Sequence, residues 1–344
     1  MDMSLSSTGE QGARRRTLLI WGGIGALLLV AFGASVGAMA RETYSPEAFV
    51  REYLDALARH DVDAALGMPG VVLTSSDEPG TGAAALLQAD ALGTLTDVSL
   101  VSDAQIAPDR YRLVFSYSLV GSDRHVTDGR SEFDVVRTGS SALVFPTWAF
   151  AKSPIASATI TVAHAASFTA GAAEVETADP SAFHASGSYE VLVPGMYVLS
   201  HSGDFLGAKS IGMAATAPLS SISAIVDVQP KLALVNAVQD SVDTFLDACA
   251  AQTVLYPPGC PFGLAVDNRI TSSPQWSIEQ YPTVSIIAGQ SSWVVPSSSG
   301  SAHVTVGERS LFDGSETTVD ESVPFTVTFT LTIQPDGTVT FAQR

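Results

Sequence analysis

Two cysteines, six histidines and a scattering of carboxylates are the residues in this chain able to do chemistry. Cys249 and Cys260 are the two cysteines of the chain. An isolated pair of this kind reads as a disulfide in an oxidising space. The segment between them carries Tyr256-Pro257-Pro258-Gly259, which can turn the chain back on itself. The spacing is not Cys-x-x-Cys, so the pair lacks the signature of a redox-active dithiol. The histidines His60, His125, His164, His184, His201 and His303 do not combine at metal-ligand spacings, and no calcium-loop pattern is present, so no metal site and no cofactor are expected. The sequence has no Gly-x-Ser-x-Gly elbow, Ser-x-x-Lys, His-Glu-x-x-His, Walker A or Gly-x-Gly-x-x-Gly motif. No catalytic residue is assigned. Asp61, Asp63, Glu321 and Asp336 fall at expected helix starts or turns and read as structural.

The elements that position these residues begin with an uncharged run, Thr17 to Ala40, preceded by Arg14, Arg15 and Arg16. About 20 apolar residues cross a bilayer as a helix, and a basic flank faces the cytoplasm. The expectation is a cytoplasmic tail at 1–16, a single membrane span at 17–40, and everything beyond Arg41 outside the plasma membrane. A cleaved secretory signal is the competing reading, because Ala38-Met39-Ala40 has an Ala-x-Ala form. The apolar run exceeds the roughly 7–15 residues of a signal core. Gly33 and Gly37 have the spacing that lets spanning helices approach closely.

A hydrophobic content of 46% with 15% charged residues describes folded chain, and its length calls for two or three domains. The net charge of −18 opposes nucleic acid and anionic lipid as partners.

After the anchor, Ser45-Pro46-Glu47 is a helix start: a cap, a proline at the first position, and an acid at the positive end of the dipole. Phe49, Val50, Tyr53, Leu54 and Leu57 then recur at helical spacing. Asp61 caps a short helix, Val62 to Leu66, and a loop follows over residues 74–85. Strands are expected at Leu95–Val101, Tyr111–Val120, Ser131–Arg137 and Leu143–Phe150. From residue 158 to 228 helical periodicity disappears, and Val193-Pro194-Gly195-Met196 joins two strands by a turn. From Pro230 on, Val235, Val238, Val242, Phe245, Leu246 and Cys249 form a second amphipathic helix. Further strands are expected at Trp276–Ile278, Val284–Ile287, Ser292–Val295, His303–Val306, Phe325–Ile333 and Thr338–Ala342. Asp336-Gly337 is a tight-hairpin signal. Trp276 and Trp293 could line a binding surface, though packing in a sheet core is the commoner fate of such residues.

The two helices resemble each other. Val50-Arg51-Glu52-Tyr53-Leu54-Asp55-Ala56 aligns with Val242-Asp243-Thr244-Phe245-Leu246-Asp247-Ala248, and each precedes a strand-rich stretch. Internal similarity of this kind points to one fold used twice; coincidence between two alanine-rich amphipathic helices is the alternative.

The opening helix, the short helix and the following sheet resemble the NTF2-like (cystatin-like) α+β family. The middle segment is similar to small β-sandwich modules of the PEGA kind. The whole is similar to actinobacterial single-pass envelope proteins and to the extracellular part of the teicoplanin-resistance-associated TcaA type, without the zinc ribbon common in the latter. The resemblance implies an α+β chain with a transmembrane helix, NTF2-like domains at 41–150 and 229–344, and a β-domain at 151–228. In such folds helices lie in the concave face of a curved sheet, which can form a cone-shaped pocket. Asp55, Asp247, Tyr53 and Phe245 are then the candidates to line a cone. The functional expectation is a non-enzymatic envelope interaction or scaffold module, with envelope proteins or cell-wall components as partners. A small-ligand-binding protein or enzyme using one cone is the alternative.

Overall fold

The computed structural model describes residues 21–24, 27, 28, 30, 31, 43–141, 145–179, 183–333 and 339–343. The expected tail and the Arg14–Arg16 cluster lie outside the described residues, as does most of the span at 17–40. The part of that span described is helical and exposed. Among the described residues no helix is long and apolar enough to cross a membrane.

Helix α1 (Pro46–Ala58) starts where the sequence places it. The Ser45 hydroxyl accepts from the Ala48 amide at 3.0 Å, and Glu47 sits in the first turn. Val50, Tyr53, Leu54, Ala56 and Leu57 are buried along one face. Asp61 caps α2 (Val62–Leu66) by accepting from the Ala64 amide. The four-stranded antiparallel sheet that follows runs in chain order: β1 (Thr94–Ala107), β2 (Arg110–Val120), β3 (Val126–Ser141) and β4 (Phe145–Phe150). Along β2 it is Leu113, Phe115, Tyr117 and Leu119 that point inward.

Two sheets then face each other. One is five-stranded, in the order β12 (Gln229–Pro230), β10 (Leu206–Ala215), β9 (Gly195–Ser202), β6 (Ser167–Ala170), β7 (Ala173–Glu176). The other has three strands, β11 (Ser221–Asp227), β5 (Ile155–Ala163) and β8 (His184–Leu192), with β11 parallel to β5. Phe168 on β6 meets Tyr189 on β8 edge to face, their centroids 5.6 Å apart, across the gap between the sheets.

The change of sheet at residues 150/151 is not a change of core. One continuous apolar cluster runs from Val50 to Val228. Tyr53 of α1 reaches into the sandwich, where its hydroxyl donates to the Val193 carbonyl at 2.9 Å. The Gly93 amide donates to the Met196 carbonyl at 2.7 Å. Pro230 likewise belongs to the sandwich, because β12 pairs with β10; the second helix begins after it.

That helix, α3 (Leu232–Ala250), buries Leu234, Val238, Val242, Leu246 and Cys249. Phe245 departs from expectation: it is half-buried. The buried stripe climbs in steps of four through 238, 242 and 246, which leaves position 245 on its flank. There its ring meets the edge of Phe329 at 6.3 Å. Cys249 and Cys260 are bonded, with Cα atoms 5.7 Å apart. The sheet over α3 is also an antiparallel progression. Three short strands, β13 (Arg269–Ile270), β14 (Gln275–Gln280) and β15 (Ile287–Ala288), pair with β16 (Trp293–Arg309). β16 pairs with β17 (Glu316–Ile333), and β17 with β18 (Val339–Gln343). The expected strands at Ser292–Val295 and His303–Val306 are one strand, β16. Between them the polar Ser298, Ser299 and Gly300 pair with Val327, Thr326 and Phe325 of β17, past a bulge at Val295/Ser298. Gly300 is required there, since a Cβ would lie 2.5 Å from the Phe325 ring and 2.8 Å from the Gln280 carbonyl. Trp276 and Trp293 are core residues of this unit, and the Trp276 indole donates to the Val254 carbonyl. Asp336-Gly337 lies outside the described residues; Ile333 and Val339 pair on either side of it.

Helix α1 therefore packs against the first strand of a four-step meander, and α3 against β14 at the matching end of its own. β4 pairs with the C-terminal end of β3, and β18 with the C-terminal end of β17.

Candidate functional site

The spaces beneath the two helices are filled with side chains. Under α1, Tyr53 packs on Phe150 at 5.1 Å and on Phe133 at 6.1 Å, and Phe133 on Phe115 at 6.2 Å, all edge-on geometries that aromatic pairs favour. Under α3, Leu246, Trp276, Phe325 and Phe329 close the core, with the Phe262 ring in tilted contact with both Trp276 and Phe325. Among the described residues no buried side-chain nitrogen or oxygen lacks a hydrogen-bond partner.

The four cone candidates consequently do not converge. Tyr53 is fully buried, and that burial raises its phenol well above the ordinary range. Asp55 is exposed beside it. Asp247 is also exposed and accepts a short hydrogen bond from the Tyr281 hydroxyl. That bond is the main reason the Tyr281 phenol is pushed up to about 12. Phe245 flanks the core.

The buried charges do structural work. Asp134 is 5% exposed and receives a two-pronged bond from Arg112, at 2.7 and 3.1 Å, with Lys152 at 3.2 Å. Its carboxyl is held below the usual range, mainly by Arg112. Glu190, on β8, is also 5% exposed. Burial pushes its carboxyl up, but hydrogen bonds from Ser75 and Thr74 outweigh this and lower it. The Thr74 amide and hydroxyl lie at 2.5 and 2.8 Å, and the Ser75 hydroxyl at 2.7 Å. Glu190 thus pins the loop after α2 to the sandwich.

No group of three or more His, Cys, Asp or Glu side chains could hold a metal ion among the described residues. Among the described residues, three histidine rings make hydrogen bonds. His164 bonds the Val228 carbonyl, His201 the Ser167 carbonyl, and His303 the Asp320 carboxylate at 2.6 Å.

Two surface features went unread in the sequence. The first is a groove of about 670 Å³ at the start of α1, walled by Tyr44, Phe49, Glu52, Ala64, Met68 and Trp148. Three segments distant in sequence form it: the entry to α1, the end of α2, and β4. The Trp148 indole donates to the Tyr44 carbonyl at 2.8 Å, and Tyr44 stacks on Phe145 at 4.3 Å, which fixes both aromatic walls. The second is the tip between β16 and β17, where Leu311 is 75% and Phe312 98% exposed. Ser310 closes that turn, donating its amide to Ser315 and accepting from the Gly314, Phe312 and Asp313 amides. The one sequence signal for it was an apolar pair inside a Ser/Asp/Gly turn.

No protein-family model and no curated protein sequence matches the chain. A solved structure described as an Ntf2 like protein involved in plasmid conjugation is similar at 11% identity, over 86% of this chain and 94% of that one. Its TM-score of 0.19 is too low to transfer any detail. The architecture itself is a β-rich α+β fold with few helices.

Proposed function

We propose that this protein is a membrane-anchored extracytoplasmic module of a cell envelope. In this reading it acts by holding partners rather than by chemistry, and its ectodomain uses two NTF2-like units around a β-sandwich. The observation that carries the reading is the packing beneath α1. A cone filled by Tyr53, Phe115, Phe133 and Phe150 leaves recognition to the outer surface. The matching strand progressions over α1 and α3 support a repeated unit. The Cys249–Cys260 bond suits an oxidising compartment, and Arg14–Arg16 before an uncharged run suits an N-terminus inside the cell. The resemblance to actinobacterial envelope proteins, and to the TcaA type, belongs to the same reading.

The test is protease added to intact, wall-stripped cells. Residues 41–344 should be degraded while a cytoplasmic marker survives. Full protection of that region overturns the topology, and a soluble product starting at Arg41 replaces the anchor with a cleaved signal.

A further inference from the structure

We propose that the groove at the entry to α1 is a binding site for a cationic aliphatic side chain, lysine or arginine, carried by a partner peptide. The proposal rests on the interaction-module reading only in taking the ligand to be part of a partner. Three aromatic residues wall the groove: half-buried Tyr44 and Phe49, and Trp148, 9% exposed. Aromatic faces attract cations through their quadrupole and also cover the methylenes of a long side chain. Met68 adds a soft apolar wall.

The charge in the groove has the complementary sign. Glu52 is exposed on its wall, and its carboxylate takes part in no ion pair or hydrogen bond among the described residues. Its neighbours on α1 do not neutralise it. Arg51 is bound to Glu47 at 2.8 Å, with its guanidinium over the Phe115 ring at 5.5 Å. No lysine, arginine or histidine is among the described residues lining the groove, and the positive end of α1 opposes a cation there. Ser45 occupies the Ala48 amide there, and Glu47 stands in the first turn, so that end is partly answered. A neutral apolar ligand would leave Glu52 beside desolvated surface, and an anionic one would be repelled. A cationic head on an apolar stem satisfies both the carboxylate and the rings. The volume of about 670 Å³ holds such a side chain together with the backbone on either side of it.

The experiment uses the purified full chain in detergent micelles and isothermal titration with two peptides. One is acetyl-Leu-Lys-Leu-Lys-Leu-amide. The other is identical except that both lysines are acetylated, which keeps length and removes charge. The lysine peptide should bind at least tenfold more tightly. Glu52→Gln should weaken the lysine peptide about tenfold, and Ala64→Trp, which fills the groove from an exposed position, should abolish binding. Asp55→Asn, outside the groove on the same helix, should change nothing, and circular dichroism of each variant should match the parent. Equal affinity for the two peptides, no binding of either, or equal effects of Glu52→Gln and Asp55→Asn would each overturn the proposal. These outcomes are independent of the protease assay: failure here with a degraded ectodomain removes the groove and leaves the interaction-module reading standing.

Discussion

The Tyr53 hydroxyl and the Val193 carbonyl oxygen are 140 positions apart in sequence and 2.9 Å apart in the fold. This bond, made inside a fully buried cluster, ties the first helix to the turn between two sandwich strands. It lies within the one apolar cluster that runs from Val50 to Val228.

Tyr53→Phe should keep the ring packing and orphan a buried carbonyl, at about 1–3 kcal/mol. Tyr53→Ala should cost about 3–5 kcal/mol. Chemical denaturation separates the two. Because α1 and the sandwich form one unit, both variants should shift a single transition for residues 46–228. A first transition confined to α1 and its own sheet would refute that coupling.

Tyr53, Tyr117 and Tyr197 are all raised chiefly by burial, Tyr117 to about 12. A phenol raised in the folded state contributes stability that is complete below its unfolded value of about 10. That contribution is lost as pH rises through the folded value. Denaturation midpoints should therefore fall above about pH 10, and fall less steeply in Tyr117→Phe.

Asp134 and Glu190 have depressed carboxyls, so their contribution is present above the unfolded values and is lost as pH falls through the folded ones. Stability measured from pH 6 down to pH 2 should decline, and Asp134→Asn and Glu190→Gln should each flatten that limb. Glu190→Gln should also make the segment around Thr74 and Ser75 more sensitive to limited proteolysis. An unchanged acid limb in both variants would show that other groups control it.

The Cys249–Cys260 bond closes a short loop at the end of α3. Reduction, or the double change to Ala, should remove about 3 kcal/mol in the chain-entropy picture. The loss should appear in the unit built on α3 and leave the transition of residues 46–228 in place. Calorimetry with and without reductant reads this directly.

Leu311→Ser with Phe312→Ser should change stability by no more than about 0.5 kcal/mol, because neither side chain is buried. The double variant should instead elute earlier from a hydrophobic-interaction column. A large destabilisation would mean that the tip folds back on the molecule.

By itself the sequence determined the local elements with strong periodicity or caps. Ser45-Pro46-Glu47 and the stripe Val50, Tyr53, Leu54, Leu57 fixed α1, because capping and a 3.6-residue period are written in neighbouring positions. The isolated cysteine pair fixed the disulfide for a similar reason, since there was a single possible partner within the chain. Alternation marked the centres of the strands but not their extent. The polar stretch Ser298–Gly300 became strand through pairing with β17, a non-local event that no local preference records.

Only tertiary structure decided where the cores divide. Apolar residues on β4, β5 and β9 look alike in sequence, and which of them face α1 depends on how the sheets stack. The same holds for the surface. Phe49 and Glu52 belong to one helix, but Trp148 joins them from almost a hundred residues away through the bond of its indole to the Tyr44 carbonyl (104 positions). A groove is a property of three segments meeting, so no one of them announces it. Position 245 shows the limit even within a helix: the amphipathic stripe is wide enough to include Phe245, and the sheet above it selected Leu246 for the centre of the core.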